Sequence, residues 1–207
     1  MDKKEAKEIV KGLSAPSKMP CSGYSIPASA CKTGSRLVSI PGSVCHGCYA
    51  LKGNYIRFPK VQTFLQKRLE SLSDPRWVEA MTVLIQGMPY FRWHDSGDLQ
   101  DQEHLHKIIQ VVKNTPKTKH WLPTREYEMV EAYHKMWGAF PKNLALRLSA
   151  HMVDKPGPLI LGKKLGVQIS TVKKTNYSCP ASKQDNKCQD CRKCWNTKIM
   201  DISYKLH

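Results

Sequence analysis

The stretch PYFRWHDSGDLQDQEHLHKIIQVVKNTPKTKHWLPT, residues 89–124, decides the fold. A strand-like run, PYFRWHD (89–95), gives way to a helix with Leu105, Ile108, Ile109 and Val112 on one face, and a second strand-like run, KHWLPT (119–124), follows. The hydrophobic period passes from two to 3.6 and back, as a βαβ unit requires.

The unit repeats downstream. A helix carrying Met129, Val130, Tyr133, Met136 and Trp137 leads to LALRLS (144–149), and VQISTV (167–172) closes the series. Strand starts recur about every 25 to 30 residues, the length of one unit, so the chain predicts a parallel sheet with flanking helices, an α/β fold. A closed eight-stranded barrel takes about 250 residues. With 207 residues available, four or five strands are expected, as a partial barrel or a small, mostly parallel open sheet. Upstream, Val61, Phe64, Leu65, Leu69 and Leu72 mark one helix; Trp77, Met81, Leu84, Ile85 and Met88 mark another, with Asp74-Pro75 at its start.

The whole chain, 1–207, reads as one domain with an α/β core at 60–172. Residues 1–20 form a short amphipathic helix and a Pro/Ser-rich lead-in. Residues 21–59 are a Cys-rich loop region with a candidate strand at Leu37 to Ile40, and 173–207 form a Cys-rich basic lobe.

At 41% hydrophobic and 24% charged residues the composition is globular, neither disordered nor fibrous. A chain this long buries a sufficient core without disulfides. No apolar run is long enough to cross a membrane, and the N-terminus MDKKEAKEIVKGL has no h-region. A reducing cytoplasm is therefore expected, where clustered thiols serve as metal ligands or catalytic groups. The formal charge is +16, and residues 155–207 carry eleven Lys/Arg against three Asp/Glu. Such a patch suits a nucleic acid or nucleotide partner; the same lysines would also offset a negatively charged four-thiolate metal centre.

Parallel-sheet proteins build sites at the carboxyl ends of strands. Thr124, Ser96, Gly97 and Asp101 fit ordinary caps and turns. Asp95, Asp98, Arg125 and Glu126 exceed what capping needs and are the candidate catalytic residues. His104 and His106 fall on different helical faces and read as surface residues, while Trp93 and Trp121 read as core.

The cysteines form two sets. CPASKQDNKCQDCRKCW (179–195) brings Cys179, Cys188, Cys191 and Cys194 within sixteen residues, the last three at consecutive C-x2-C spacings. Zinc prefers two separate knuckles, whereas this run resembles a ferredoxin-type opening, so a 4Fe–4S cluster is favoured with Zn as the alternative. Four protein ligands close the site. The second set is Cys31, Cys45 and Cys48, with Cys21 as a candidate fourth. Four ligands would make it structural; three would leave an open iron for S-adenosylmethionine, as in the radical enzymes that use that cofactor. Those enzymes have the spacing C-x3-C-x2-C, and thirteen residues separate Cys31 from Cys45 here.

SIPASACKTGSRLVSIPGSVCHGCYALKGNY (25–55), YFRWHDSGDLQ (90–100), KHWLPTREYEMV (119–130), CPASKQDNKCQDCRKCW (179–195) and the closing ISYKLH resemble the phage gene-product-88 family over nearly the whole chain. The resemblance implies a bacteriophage or prophage protein acting in the host bacterial cytoplasm, with metal ligands at Cys31, Cys45, Cys48, Cys179, Cys188, Cys191 and Cys194 and with Cys21 free. A second resemblance, to proteins with radical-enzyme-like cluster loops, rests on the CHGCYA run (45–50).

Two functions are expected from these readings. The first is an iron–sulfur enzyme acting on a nucleotide or nucleic acid. The second is a non-catalytic nucleic-acid-binding module whose metal sites only hold loops, with Trp93, Trp121, Trp195 and Tyr49 offered for base stacking. A catalytic zinc hydrolase finds no H-E-x-x-H pattern.

Overall fold

A computed structural model describes residues 1–52 and 54–206. In chain order the helices are α1 (Lys3–Val10), α2 (Lys32–Val38), α3 (Asn54–Arg57), α4 (Pro59–Ser71), α5 (Trp77–Ile85), α6 (Gln102–Asn114), α7 (Tyr127–Trp137) and α8 (Leu159–Leu165). The strands are β1 (Gly23–Tyr24), β2 (Tyr90–Trp93), β3 (Lys119–Thr124), β4 (Leu144–Ser149), β5 (Gln168–Lys173) and β6 (Asp201–Lys205). They form one six-stranded sheet in the order β1-β2-β3-β4-β5-β6, with every neighbouring pair parallel. This is the predicted α/β architecture. The sheet winds in one direction only, as a barrel does before it closes.

The predicted four or five strands become six, because β1 and β6 lie in the two Cys-rich regions. β1 is two residues long and β6 follows a cysteine-dense segment, so neither shows a period on its own. The candidate strand at Leu37 to Ile40 falls instead at the end of α2 and the turn after it. The reason lies far away in sequence: a glutamate in the loop after β3 caps that helix, as described below.

Alternation sorts the two faces of the sheet. Leu122, Leu146, Leu148 and Ile169 pack with Trp77, Met81, Leu105, Ile108 and Val112 of the helices in the main core. Trp121 and Ile202, on the other face, pack with Cys194 and Trp195 of the C-terminal lobe. Tyr24 ties α1, α4 and α5 to β1: its hydroxyl meets the Val10 carbonyl at 3.0 Å and Ser71 Oγ at 2.9 Å, and Trp77 Nε1 donates to it at 3.3 Å.

The expected helical stripes hold with two exceptions. Val61 and Phe64 are exposed, since α4 packs only through its second half, where Leu65 and Arg68 are buried and Arg68 reaches Ser14 Oγ at 2.7 Å. His104 is buried rather than on the surface. Its ring lies 5.3 Å from that of His94 in an edge arrangement, because the turn after β2 folds back over the start of α6. Asp101 caps α6 as expected, accepting from the His104 amide at 2.7 Å. No helix among the described residues is long and apolar enough to cross a membrane.

Candidate metal centre

The loop bearing Cys31, Cys45 and Cys48 leaves β1 and is fastened to the carboxyl ends of three further strands. At β2, the Ile26 amide donates to the Ser96 carbonyl at 3.2 Å. Gly97 sits in the left-handed region (φ 81°), where a Cβ would come within 2.8 Å of the Ile26 carbonyl oxygen, so only glycine permits this approach. At β3, Glu126 accepts from the Thr33 amide and the Thr33 hydroxyl, both at 2.8 Å. It thereby caps α2, whose N-cap residue is Cys31. At β4, the Val44 amide donates to the His151 carbonyl at 2.9 Å and Ser43 bridges to Met152.

These ties gather three thiols. A Cβ on Gly34 would lie 3.6 Å from Cys31 Sγ and 3.7 Å from Cys45 Sγ, so both sulfurs flank one glycine. Burial pushes the Cys31 thiol up to about 12, and Asp98, Cys48 and Cys45 push it the same way against Arg125. Cys45 is raised first by burial and then by Cys48 and Asp98, with Arg125 opposing. Two buried thiols raised in this way, Cys31 and Cys45, make poor nucleophiles, but a bound cation would reverse the balance and hold them as thiolates.

Each candidate catalytic residue has a distinct position here. Asp98 is buried and saturated by the Thr124 hydroxyl (2.6 Å), the Leu99 amide (2.8 Å) and the Arg125 amide (2.9 Å). Burial nevertheless lifts its carboxyl to about 6. Glu126 spends both oxygens on Thr33. Thr124 is therefore more than a cap: its oxygen holds Asp98 and accepts the Glu126 amide at 3.1 Å.

Asp95 and Arg125 differ from this pair. Asp95 accepts from the Tyr55 hydroxyl through Oδ2 at 2.8 Å and from Tyr49 through its carbonyl, while Oδ1 is buried with no partner. Arg125 Nε is likewise buried and unpartnered. Tyr49 and Tyr55 were not singled out as partners of Asp95 from sequence, because nothing local links them to a residue forty positions away.

The second set assembles on the sheet face opposite the main core. Burial first, and then neighbouring thiols, raise Cys179, Cys188 and Cys194; Cys191 acts on both Cys179 and Cys188. Arg147, fully buried in β4, holds this lobe through the carbonyls of Lys193, Cys194, Asn196, Ile199 and Ile169, at 3.0–3.2 Å. The Cys194 thiol meets the Tyr204 hydroxyl of β6 at 3.2 Å.

Cys21, the candidate fourth ligand of the N-terminal set, packs instead with Cys179 and Cys194 of this lobe. Burial raises it to about 12, Arg92 opposes and Cys188 adds to the rise. The Cys188 amide donates to the Lys18 carbonyl at 3.0 Å, which draws the Cys21 segment there.

Both thiol sets fit a metal–sulfur group by donor chemistry. Among the described residues no three Cys, His, Asp or Glu side chains stand in single-ion geometry. A tetrahedral zinc needs sulfurs about 3.8 Å apart, given a Zn–S bond of about 2.3 Å, whereas an iron–sulfur cube takes each thiolate on a separate iron. Trp93, Trp121 and Trp195 are buried and have no open face for a base.

Comparison with curated proteins finds no match, and comparison with solved structures finds none. The family model described as gene product 88 matches residues 1–197. Matched over nearly its whole length, the chain belongs to the gene product 88 family.

Proposed function

We propose that this protein is a phage-encoded iron–sulfur enzyme of radical S-adenosylmethionine type, acting on a nucleotide or nucleic acid in the host bacterial cytoplasm. The observation that carries the reading is the placement of Cys31, Cys45 and Cys48. They follow the first strand of a sequentially wound parallel sheet and lie over the carboxyl ends of its strands, beside two buried polar atoms without partners.

Cys31, Cys45 and Cys48 would hold a 4Fe–4S cluster with one iron left open. Cys179, Cys188, Cys191 and Cys194 would close a second, structural one. The open-site cluster, once reduced by an external one-electron donor, would supply the electron that breaks a carbon–sulfur bond of the S-adenosylmethionine sulfonium. The chain's own groups do the rest. Arg125 offers an unpartnered N–H to a carboxylate or phosphate next to the thiols, and Asp95 Oδ1 offers an acceptor to an ammonium or hydroxyl. Tyr55 fixes Asp95, and Glu126 positions Cys31 by capping α2.

The test is metal and sulfide analysis of anaerobically purified protein. About eight iron per chain is expected, falling to about four in the variant Cys31→Ala, Cys45→Ala, Cys48→Ala. The paramagnetic spectrum of the reduced protein should change on adding S-adenosylmethionine. Zinc in place of iron overturns the reading, and a spectrum indifferent to the cofactor overturns its enzymatic part.

A further inference from the structure

At the end of the sheet away from the N-terminal thiols, a cavity of about 710 Å³ opens below β2, β3 and β4. Tyr90 and Lys119 open their strands, and Lys142 and Asn143 immediately precede β4, so this is the amino-terminal end. Six cations line it: Lys117, Lys119, Lys142, Arg192, Lys193 and Lys198. No acidic side chain among the described residues does.

None of the six is neutralised at contact range. The ion pairs of the described residues use only Arg76, Lys107, Lys164 and the N-terminal amine. Arg192 and Lys193 also lie near Cys188 and Cys179, whose thiolates they favour. Lys117, Lys119 and Lys142 belong to the strand starts instead, and no ion pair offsets their mutual repulsion.

The cleft has further features of a built site. Arg192 lies 5.4 Å and Lys119 5.9 Å from the Tyr90 ring centre, placing two charges about one aromatic face. Beneath it, Arg147 grips the carbonyls of Lys193 and Asn196, so the wall is fixed before any ligand arrives.

We infer that this cleft is a binding groove for single-stranded nucleic acid, which grips the phosphodiester backbone at the opposite end of the sheet from the N-terminal thiols, with the C-terminal lobe as one wall. The inference deepens the substrate part of the proposed function and rests on none of its cluster chemistry. A cavity of this size encloses a small ligand or a few units of a flexible strand. A flexible single strand can follow the concave wall and bring several phosphates to these cations, which the stiff convex surface of a duplex does less well. The groove therefore holds rather than reacts: a six-residue strand such as β3 sets the two ends about 20 Å apart.

The test is fluorescence anisotropy of the full chain with a labelled twelve-nucleotide strand, as DNA and as RNA, across a salt series. The triple variant Lys117→Gln, Lys119→Gln, Lys142→Gln removes three exposed charges that lie outside both cysteine-bearing segments. It should weaken binding about tenfold and reduce the log–log salt slope by about two. A control losing the same charge elsewhere, Lys3→Gln, Lys7→Gln, Lys67→Gln, should stay within about twofold of the parent. Tighter binding of either strand supports the groove and names the sugar it prefers. Equal losses in both triples, binding indifferent to salt, no binding, or preference for duplex or for anionic vesicles each overturn it. Iron is assayed on the same samples, so binding by iron-free protein separates this inference from the cluster reading.

Discussion

The two cysteine regions reach order by opposite routes. The C-terminal four lie within sixteen residues, close through local turns, and are locked on one sheet face by Arg147, Trp121 and Tyr204. The N-terminal three span a loop that never packs a core of its own. It is held instead by Ser96, Glu126 and His151 from three different strand ends, and it keeps Asp95 Oδ1 and Arg125 Nε without partners. A set closed by its own local turns and gripped by one buried guanidinium suits a structural role, although Ser182 Oγ and Gln184 Oε1 in that run are buried without partners too. A set suspended over strand ends, beside unpaired polar atoms, suits chemistry.

The comparison breaks most severely at Arg147. Replacing it with alanine leaves a cavity and five carbonyls without their donor, and unfolding in urea should lose about 4 kcal/mol or more. An unchanged midpoint would mean the C-terminal lobe stands without this anchor. The iron on the N-terminal set should outlast that on the lobe in any variant that still folds.

Acid attacks the other side. Burial depresses His104 to about 4 and His120 to about 3, and with help from His104 and Arg92 it holds His94 well below the usual imidazole range. The unfolded chain therefore binds more protons than the folded one below about pH 6.5, and stability should fall from there toward pH 4. His104 alone accounts for about 3 kcal/mol at full effect. Asp98, raised to about 6, and Asp201, also raised by burial, work the opposite way over the same window, two groups against three histidines. Thermal melts at constant ionic strength measure the slope, and a melting temperature rising as pH drops from 6.5 to 4 would contradict it.

A smaller effect sharpens the contrast. Glu126→Ala uncaps α2 and frees the Cys31 loop at a cost of about 2 kcal/mol. Limited proteolysis should then cut within residues 32–52 while 179–195 stays protected, and iron should fall toward half. Glu126→Gln keeps an acceptor for the Thr33 amide and should restore part of the protection.

The smallest change is Gly34→Ala. The added methyl gains helix propensity of about 1 kcal/mol but meets Cys31 Cβ at 3.0 Å. Stability should stay within about 1 kcal/mol of the parent, while iron bound by the N-terminal set decreases. Full iron in this variant would show that the sulfurs do not need the space beside Gly34.

The sheet was legible where strands alternate with helices long enough to show a period: residues 89–172 gave β2 to β5 and the helices between them. β1 was invisible because two residues carry no period, and β6 because it follows a segment ordered by Arg147 rather than by its own pattern. Leu37 looked like strand because the cap that makes α2 a helix comes from Glu126. Among the site candidates, the sequence singled out Asp95, Asp98, Arg125 and Glu126 by residue type at strand ends. It could not separate the two carboxylates used up by amides and hydroxyls from the carboxylate and guanidinium that keep an atom free.

By itself the sequence determined the α/β class, the four-thiol run of the C-terminal lobe and the excess of positive charge, since each depends on period, spacing or count within one stretch of chain. Only the tertiary structure decided that Cys21 joins the C-terminal lobe, that Cys31 and Cys45 come to flank one glycine at the strand ends, and that six cations share a cleft at the far end of the sheet. Those outcomes depend on hydrogen bonds and burial between residues as far apart in the chain as Lys18 and Cys188, and such contacts leave no local pattern to read.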